Sequence, residues 1–288
     1  MGYRLKSSIL VSEITSALGL IFRGEDVNVQ GVSTLDDQFD GHLVFSKLPA
    51  NVSANSIVVE SGDNEFSGTY TSIISDNPRL DFIRILNLLV DHIGFSTFDF
   101  VSTVDESAVI GANVVIENDC VIKENVIIEP NCVIHSGTTI GANTRIRSCS
   151  SVGGDGFGFE RLSDGTPIRF PHLGGVIIGQ NVEIGALNSI ARGSLSNTRV
   201  DDLTKTDNLV HIAHNCHVKR AAFLTACVEL SGGGEIGQEA WVGPNASVIQ
   251  KVVIGKGSLV GIGAVVTKNV KDNSVWFGNP AKKLRDLN

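Results

Sequence analysis

The chain has 288 residues, of which 42% are hydrophobic, 19% charged and 6% aromatic, and its formal net charge is −8. So apolar a chain can bury enough surface to offset its ordering entropy, which excludes disorder, and the acidic balance argues against general nucleic-acid binding, which needs a positive field. The 31 glycines follow no Gly-x-y register, which excludes collagen, and no apolar run approaches the ~20 residues of a membrane-spanning helix.

The N-terminus, MGYRLKSSILVSEITSALGL, has basic residues, but its apolar part is broken by Ser, Glu and Thr, so it does not read as a signal peptide. Within it, Val11–Gly19 predicts a short amphipathic helix with Ser12 as its N-cap. SIVVE at 56–60 and TSIIS at 71–75 read as strands. NPRLDFIRILNLLVDHIG at 77–94 predicts a helix with Leu80, Ile83, Leu86 and Val90 on its apolar face and Gly94 as its stop. Residues 1–100 are therefore expected to form a small α/β domain.

From Val104 an aliphatic residue recurs every six positions: Val104, Ile110, Ile116, Ile122, Ile128, Ile134, Ile140, Ile146 and Val152. Ile178, Ile184 and Ile190 continue the step, and it resumes from Ile212 to Val266. A small or β-branched residue lies four places after each aliphatic, with Gly, Asn or Asp in between. A period of six is neither the 3.6 of a helix nor the 2 of a long strand. It fits short strands joined by tight turns, with each hexapeptide forming one side of a stacked coil that shares a continuous core. Cys120, Cys132 and Cys216 fall on the inward small position and are expected to be core filler. The five cysteines are odd in number and form no C-x-x-C pair, which fits a reducing cytoplasm.

The coil is expected over residues 101–271, with an inserted loop at 153–175, a second interruption at Leu195–Leu209, and a short tail over 272–288. Insertions in a solenoid emerge over its binding face. The first insertion carries GGDGFGF, with Asp155 and Phe157.

Three of the seven histidines cluster in NLVHIAHNCHVKR. Two readings compete. His211, His214 and His217 have the look of a zinc set, but on a six-residue step His211 and His217 fall on adjacent sides of the coil, so one chain cannot easily bring both to one ion; a site between subunits stays open. His214 follows inward Ile212 by two residues and so sits near an exposed turn, where an imidazole followed by Asn215 suits a general base. SGGGEIG at 231–237 leaves backbone N–H groups uncovered, and such donors can stabilise an oxyanion. Gly232 lies eighteen residues, three hexapeptides, after His214, so the two are expected to stack on one side. Lys268, Lys282 and Lys283, in a basic C-terminal segment, are candidates for the phosphates of coenzyme A or for an acidic carrier protein.

With GGDGFGF (153–159), VIIGQNVEIGA (176–186), ARGSL (191–195), the pair Asp207–Asn208 and IAHN (212–215), the chain resembles the UDP-3-O-acyl-glucosamine N-acyltransferases of lipid A biosynthesis, hexapeptide-repeat acyltransferases. GVSTLDD (31–37), GHLVF (41–45) and NPRLDFIRIL (77–86) extend the resemblance to the N-terminal half. It implies a left-handed parallel β-helix after a nucleotide- and substrate-binding α/β domain, and a homotrimer with active sites between subunits. It maps the catalytic base onto His214 and the oxyanion amide onto Gly232. Asp207 and Asn208 become contacts to substrate or to the donor's pantetheine, and Phe45 the aromatic of a uracil pocket. His211, Asp155 and Phe157 complete the expected substrate set. No metal and no tightly bound cofactor are expected; acyl-CoA or acyl carrier protein is the co-substrate, in the cytoplasm. FGNPAKKL near the C-terminus resembles the close of coenzyme-A-dependent sugar acetyltransferases, so an N-acetyltransferase for a dideoxy amino sugar nucleotide of O-antigen synthesis is the alternative. A zinc hydratase of the β-helical carbonic anhydrase type and a non-catalytic scaffold are remoter readings.

Overall fold

A computed structural model describes residues 2–46, 52–63, 68–97 and 99–287. The chain divides into two compact units, Met1–Thr97 with Gly158–Leu173, and Phe98–Phe157 with Gly174–Asn288.

The first unit is built on a six-stranded sheet. Its elements in chain order are β1 (Gly2–Leu10), α1 (Val11–Leu18), β2 (Ile21–Arg23), β3 (Asn28–Ser33), β4 (His42–Phe45), β5 (Ile57–Glu60), β6 (Thr71–Ile74) and α2 (Pro78–His92). The sheet order is β1-β3-β4-β5-β6-β2. The central four strands are parallel, with β1 and β2 antiparallel at the edges. β5 and β6 lie where their β-branched runs predict them, and β5 is buried throughout, as a central parallel strand requires.

Ser12 is not the N-cap. α1 begins one residue earlier, at Val11, so Ser12 lies in the first turn; its N–H is taken by Asp26 Oδ1 at 2.9 Å, and Glu13 reaches back to the Leu10 N–H. Gly19, at φ 67°, ends the helix in the left-handed region. Asn77 caps α2 by accepting the Leu80 N–H, Pro78 supplies the first helical residue, and Gly94 (φ 78°) ends it with its N–H on Leu89 O. The buried face is wider than predicted. Phe82, Ile83, Ile85, Leu86 and Leu89 are buried against the sheet, whereas Val90 is exposed and Leu80 only half-buried.

Residues 158–173 form a structured part of this first unit rather than a loop of the coil. Phe159–Arg161 and Pro167–Arg169 pair as an antiparallel hairpin. It is fastened to α2 by Arg79 Nε to Glu160 at 3.0 Å, by the Asn87 side-chain N–H to Arg169 O at 2.9 Å, and by Phe170 against Phe82. The insertion carries its own alternating apolar residues, and these find partners on the helix.

The second unit is a parallel β-helix of three walls, with sheets of 8, 10 and 8 strands. Parallel pairing joins each strand to the one a coil away, as Ile122 to Ile140, Ile128 to Ile146 and Ile134 to Val152. The first wall turns inward Ile122, Ile140, Ile178, Val200, Val218, Ile236 and Ile254; the second Ile128, Ile146, Ile184, Leu224, Val242 and Val260; the third Ile134, Val152, Ile190, Ile212, Leu230, Val248 and Val266. These bury the continuous core that the six-residue step predicts. Cys120, Cys132 and Cys216 are buried within it. Most corners pass through the left-handed region once, as at Asn113, Asp119, Asn125, Asn131 and Asn143. The recurrent Asn, Asp and Gly are there because they tolerate that conformation best.

Two expected boundaries shift. Leu195–Leu209 is largely regular coil: Thr198–Val200 and Lys205–Thr206 keep their places on the first two walls, and only the turn before Thr198 departs. The step looks weak there because a buried threonine replaces an aliphatic, its hydroxyl accepting the Gly185 N–H and donating to Asn188. Nor is 272–288 a tail. Ser274–Phe277 extends the second wall parallel to Leu259–Val260 and turns back antiparallel through Lys282–Asp286. Among the described residues no helix is long and apolar enough to cross a membrane.

Candidate functional site

His214 stands at the corner between the third and first walls, two residues past buried Ile212. The next residue, Asn215, takes the corner's left-handed conformation at φ 61°. Its side chain is tied on both ends. Oδ1 accepts the Ser194 N–H at 3.2 Å and the Ser194 hydroxyl at 2.8 Å, while Nδ2 donates to Ser196 Oγ at 2.8 Å. The amide orientation is thereby fixed, and Oδ1 meets His214 Nδ1 at 2.9 Å. An oxygen facing Nδ1 requires the proton on Nδ1, which leaves the lone pair on Nε2. The short loop before Thr198 thus supplies the serines that set the tautomer of His214.

Gly232 lies one coil above. A β-carbon built on it would stand 2.8 Å from both Cε1 and Nε2 of His214, so only glycine lets the ring lie against this corner. At some other corners the N–H in this position is taken by a side chain of the neighbouring coil, as Gln180 by Asp202 and Ala186 by Asn208. For the Gly232 N–H no acceptor is found among the described residues. The corner therefore joins a base nitrogen to a backbone donor, the two parts that acyl transfer needs.

Asp207 and Asn208 occupy a different corner, between the second and third walls, and are exposed. They border a cavity of about 320 Å³ with Arg147, Lys205, Phe223 and Trp241. Phe223 and Trp241 meet edge to face at 5.3 Å, one coil apart on the outer surface of the second wall. Within one chain these residues and His214 do not share a site.

The remaining candidates scatter. His211 faces outward from the third wall beneath Glu229. His217 is on the first wall, its Nε2 2.7 Å from Asp201, so the clustered histidines point to separate walls. Asp155 is exposed, 3.7 Å from the Arg192 guanidinium, and Phe157 is 86% exposed. Phe45, in the first unit, stacks on Phe82 at 4.8 Å and does not line that unit's 680 Å³ cavity. Lys268 shares the corner column of His214 three coils up, about 14 Å away at the ordinary strand spacing. Lys282 and Lys283 lie on the edge strand of the second wall, so the three lysines do not form one cluster. Cys216, though next to Asn215, is no nucleophile: burial pushes its thiol up to about 12.

Sequence reasoning missed Ser194 and Ser196, which reach Asn215 across an irregular turn that no period describes. It also missed Phe223 and Trp241. Their signal was legible: two aromatics eighteen residues apart, each just before an inward aliphatic, in a chain with only 6% aromatics.

Residues 119–154 match the bacterial transferase hexapeptide (six repeats) family. A UDP-3-O-acylglucosamine N-acyltransferase of Herminiimonas arsenicoxydans is 36% identical over 127 residues, 44% of this chain and 36% of its own length. One from Methylorubrum extorquens (strain PA1) is 39% identical over 134 residues, 46% of this chain and 38% of its own. The matched region thus spans little more than a third of those two relatives. The UDP-3-O-acylglucosamine N-acyltransferase of Campylobacter lari is 32% identical over 301 aligned positions, covering 96% of this chain and 94% of its own length. A crystal structure of a UDP-N-acetylglucosamine acyltransferase superposes with a TM-score of 0.52 at 25% identity, over 62% of this chain and 70% of that one. With a relative aligned almost end to end and the hexapeptide coil in place, the chain belongs to the UDP-3-O-acylglucosamine N-acyltransferase family.

Proposed function

We propose that this protein transfers an acyl group from a thioester donor, acyl-CoA or acyl carrier protein, to the amine of a nucleotide-linked amino sugar. The observation that carries the reading is the stacking of His214 against Gly232, with Nδ1 held by Asn215. The neutral amine attacks the thioester carbonyl, and His214 Nε2 removes a proton from the nitrogen. The oxyanion of the tetrahedral intermediate faces the Gly232 N–H. Its collapse breaks the carbon–sulfur bond, and the thiolate recovers the proton from His214. The amine is itself a good nucleophile, so no acyl-enzyme is needed.

The active site is shared between copies of a homotrimer, in which the Asp207–Asn208 corner of one chain faces the His214 corner of the next. This accounts for the separation of the two corners within one chain. Such a site takes its substrates from the cytoplasm, where thioester donors and nucleotide sugars are made.

The test is a mass-spectrometric screen of the full-length protein with nucleotide amino sugars against acyl-CoA and acyl carrier protein donors. An amide product lost in His214→Ala supports the reading. No amide product from any thioester donor, with the fold intact, would overturn it.

A further inference from the structure

Lower on the third wall lies a second cluster that the amine-acylating reaction does not use. Glu117 and His135 each follow an inward isoleucine of the third wall, and Ser151 precedes inward Val152 one coil above His135. His135 Nδ1 is 3.1 Å from Glu117 Oε1, and His135 Nε2 is 3.1 Å from Ser151 Oγ. The other Glu117 oxygen accepts the Ser136 N–H at 2.9 Å and the Ser136 hydroxyl at 3.2 Å. The Ser136 N–H, with the nearby imidazole, holds the carboxyl below its ordinary range, so it is ionised. An ionised Glu117 places a proton on Nδ1 and leaves Nε2 to accept the Ser151 hydroxyl proton. This is the order of contacts that activates a serine.

The corner architecture alone does not explain the arrangement. Glu129, at the corner after the second wall, is held by the Ser148 N–H and hydroxyl in the same way, but its other oxygen meets Arg145. A glutamate stapled by a serine is thus a recurrent device of this coil. Among the described residues the histidine and second serine join such a glutamate only at Glu117, through His135 and Ser151. Gly154 stands against the hydroxyl, and an added β-carbon there would lie 3.3 Å from His135 Nε2 and 3.6 Å from Ser151 Oγ. The group is partly solvent-accessible, with side-chain exposures of 26% for His135 and 43% for Glu117.

We infer that Ser151, His135 and Glu117 form a second, serine-based centre that cleaves activated carboxylic esters or thioesters. Ser151 Oγ bonds to the acyl carbon and the bond to the leaving alcohol or thiol breaks. The hydroxyl proton passes through His135 Nε2 to the leaving group. Water then adds to the acyl-serine with His135 as base, releasing the carboxylic acid and restoring Ser151, so that the net reaction is ester plus water to acid plus alcohol or thiol. The centre is independent of His214, whose rung of the third wall lies two strands above that of Ser151, about 10 Å away.

The experiment treats the full-length native protein with a fluorophosphonate probe and with p-nitrophenyl acetate, and maps the adduct by peptide mass. The expected result is one phosphonate per chain, on Ser151. Labelling falls at least ~100-fold in Ser151→Ala and His135→Ala and about 10-fold or more in Glu117→Gln. Ser247→Ala, an outward serine of the same wall, labels as the native chain does. No adduct on native protein of normal circular dichroism, or an adduct mapped elsewhere, would overturn the proposal. Because mapping needs only the native chain, a variant that fails to fold leaves the test intact.

Discussion

The imidazole of His214 lies against the α-carbon of Gly232, close enough that a β-carbon on that glycine would stand 2.8 Å from two ring atoms. Gly232 is outside the left-handed region, so alanine meets no backbone obstacle there. Its methyl group would displace the ring, the mobile end of a side chain, and not the coil. Gly232→Ala is therefore expected to keep its melting temperature within about 2 °C and to lose about 100-fold or more in kcat/KM. Steady-state kinetics beside a thermal melt would check this; an active alanine variant would remove the ring–glycine contact from the chemistry.

His214→Ala removes the proposed base without removing a core contact. A loss of ~10²–10⁴-fold in kcat at unchanged stability is expected, in the ordinary range for general-base catalysis.

Asn215 has two roles that separate by substitution. Its φ of 61° is costly for alanine, whereas glycine accepts it freely. Asn215→Gly keeps the backbone conformation but loses the hydrogen bonds to Ser194 and Ser196, and should lose about tenfold or more in kcat, because Nδ1 loses the oxygen that fixes its proton. Asn215→Ala should lose the same activity and be about 1 kcal/mol less stable than Asn215→Gly. Equal activity in all three would mean that the tautomer is set in some other way.

If two copies share each site, His214→Ala and Asp207→Ala chains should complement each other. When the two are unfolded together in equal amounts and refolded, about a quarter of the sites should combine an intact His214 from one chain with an intact Asp207 from the next. Recovered turnover near that fraction is the expected reading, and a mixture as inactive as its components would confine the site to one chain.

His42, on β4, is buried, and burial holds its pKa below 6.5. The folded protein therefore keeps it neutral where the unfolded chain has begun to bind a proton. The sign follows: its neutral form costs nothing above pH 6.5, and stability is lost as pH falls through and below that value. Thermal melts from pH 7.5 to 5 should show a decline that is shallower in His42→Asn; parallel slopes would assign the decline to other groups.

How far the sequence reached is clearest at Ile110 and Ile236. Both sit on the same six-residue step, and the period cannot tell them apart. The structure leaves Ile110, in an end coil, 39% exposed and Ile236, in the middle, fully buried. Ile236→Ala is expected to cost about 2–5 kcal/mol and Ile110→Ala less than about 1 kcal/mol by denaturant unfolding. The stacking of His214 on Gly232 was legible because eighteen residues make one turn of the coil. The Ser194–Asn215–His214 chain was not, because it crosses an irregular turn whose path depends on tertiary contacts. The end of the coil was misjudged because Ser274–Phe277 rejoins the second wall after the hexapeptide step has been lost.

The sequence by itself determined the coil, the inward residues, and which corner residues share a column, because a fixed period turns position along the chain into position around an axis. It also marked the two helices of the first unit through their glycine stops. Only the tertiary structure decided that residues 158–173 belong with the first unit. It alone brought Glu117, His135 and Ser151 into one line. Those outcomes depend on side-chain reach between neighbouring coils and on which surface an inserted segment finds to cover its apolar face, and neither leaves a periodic mark in the chain.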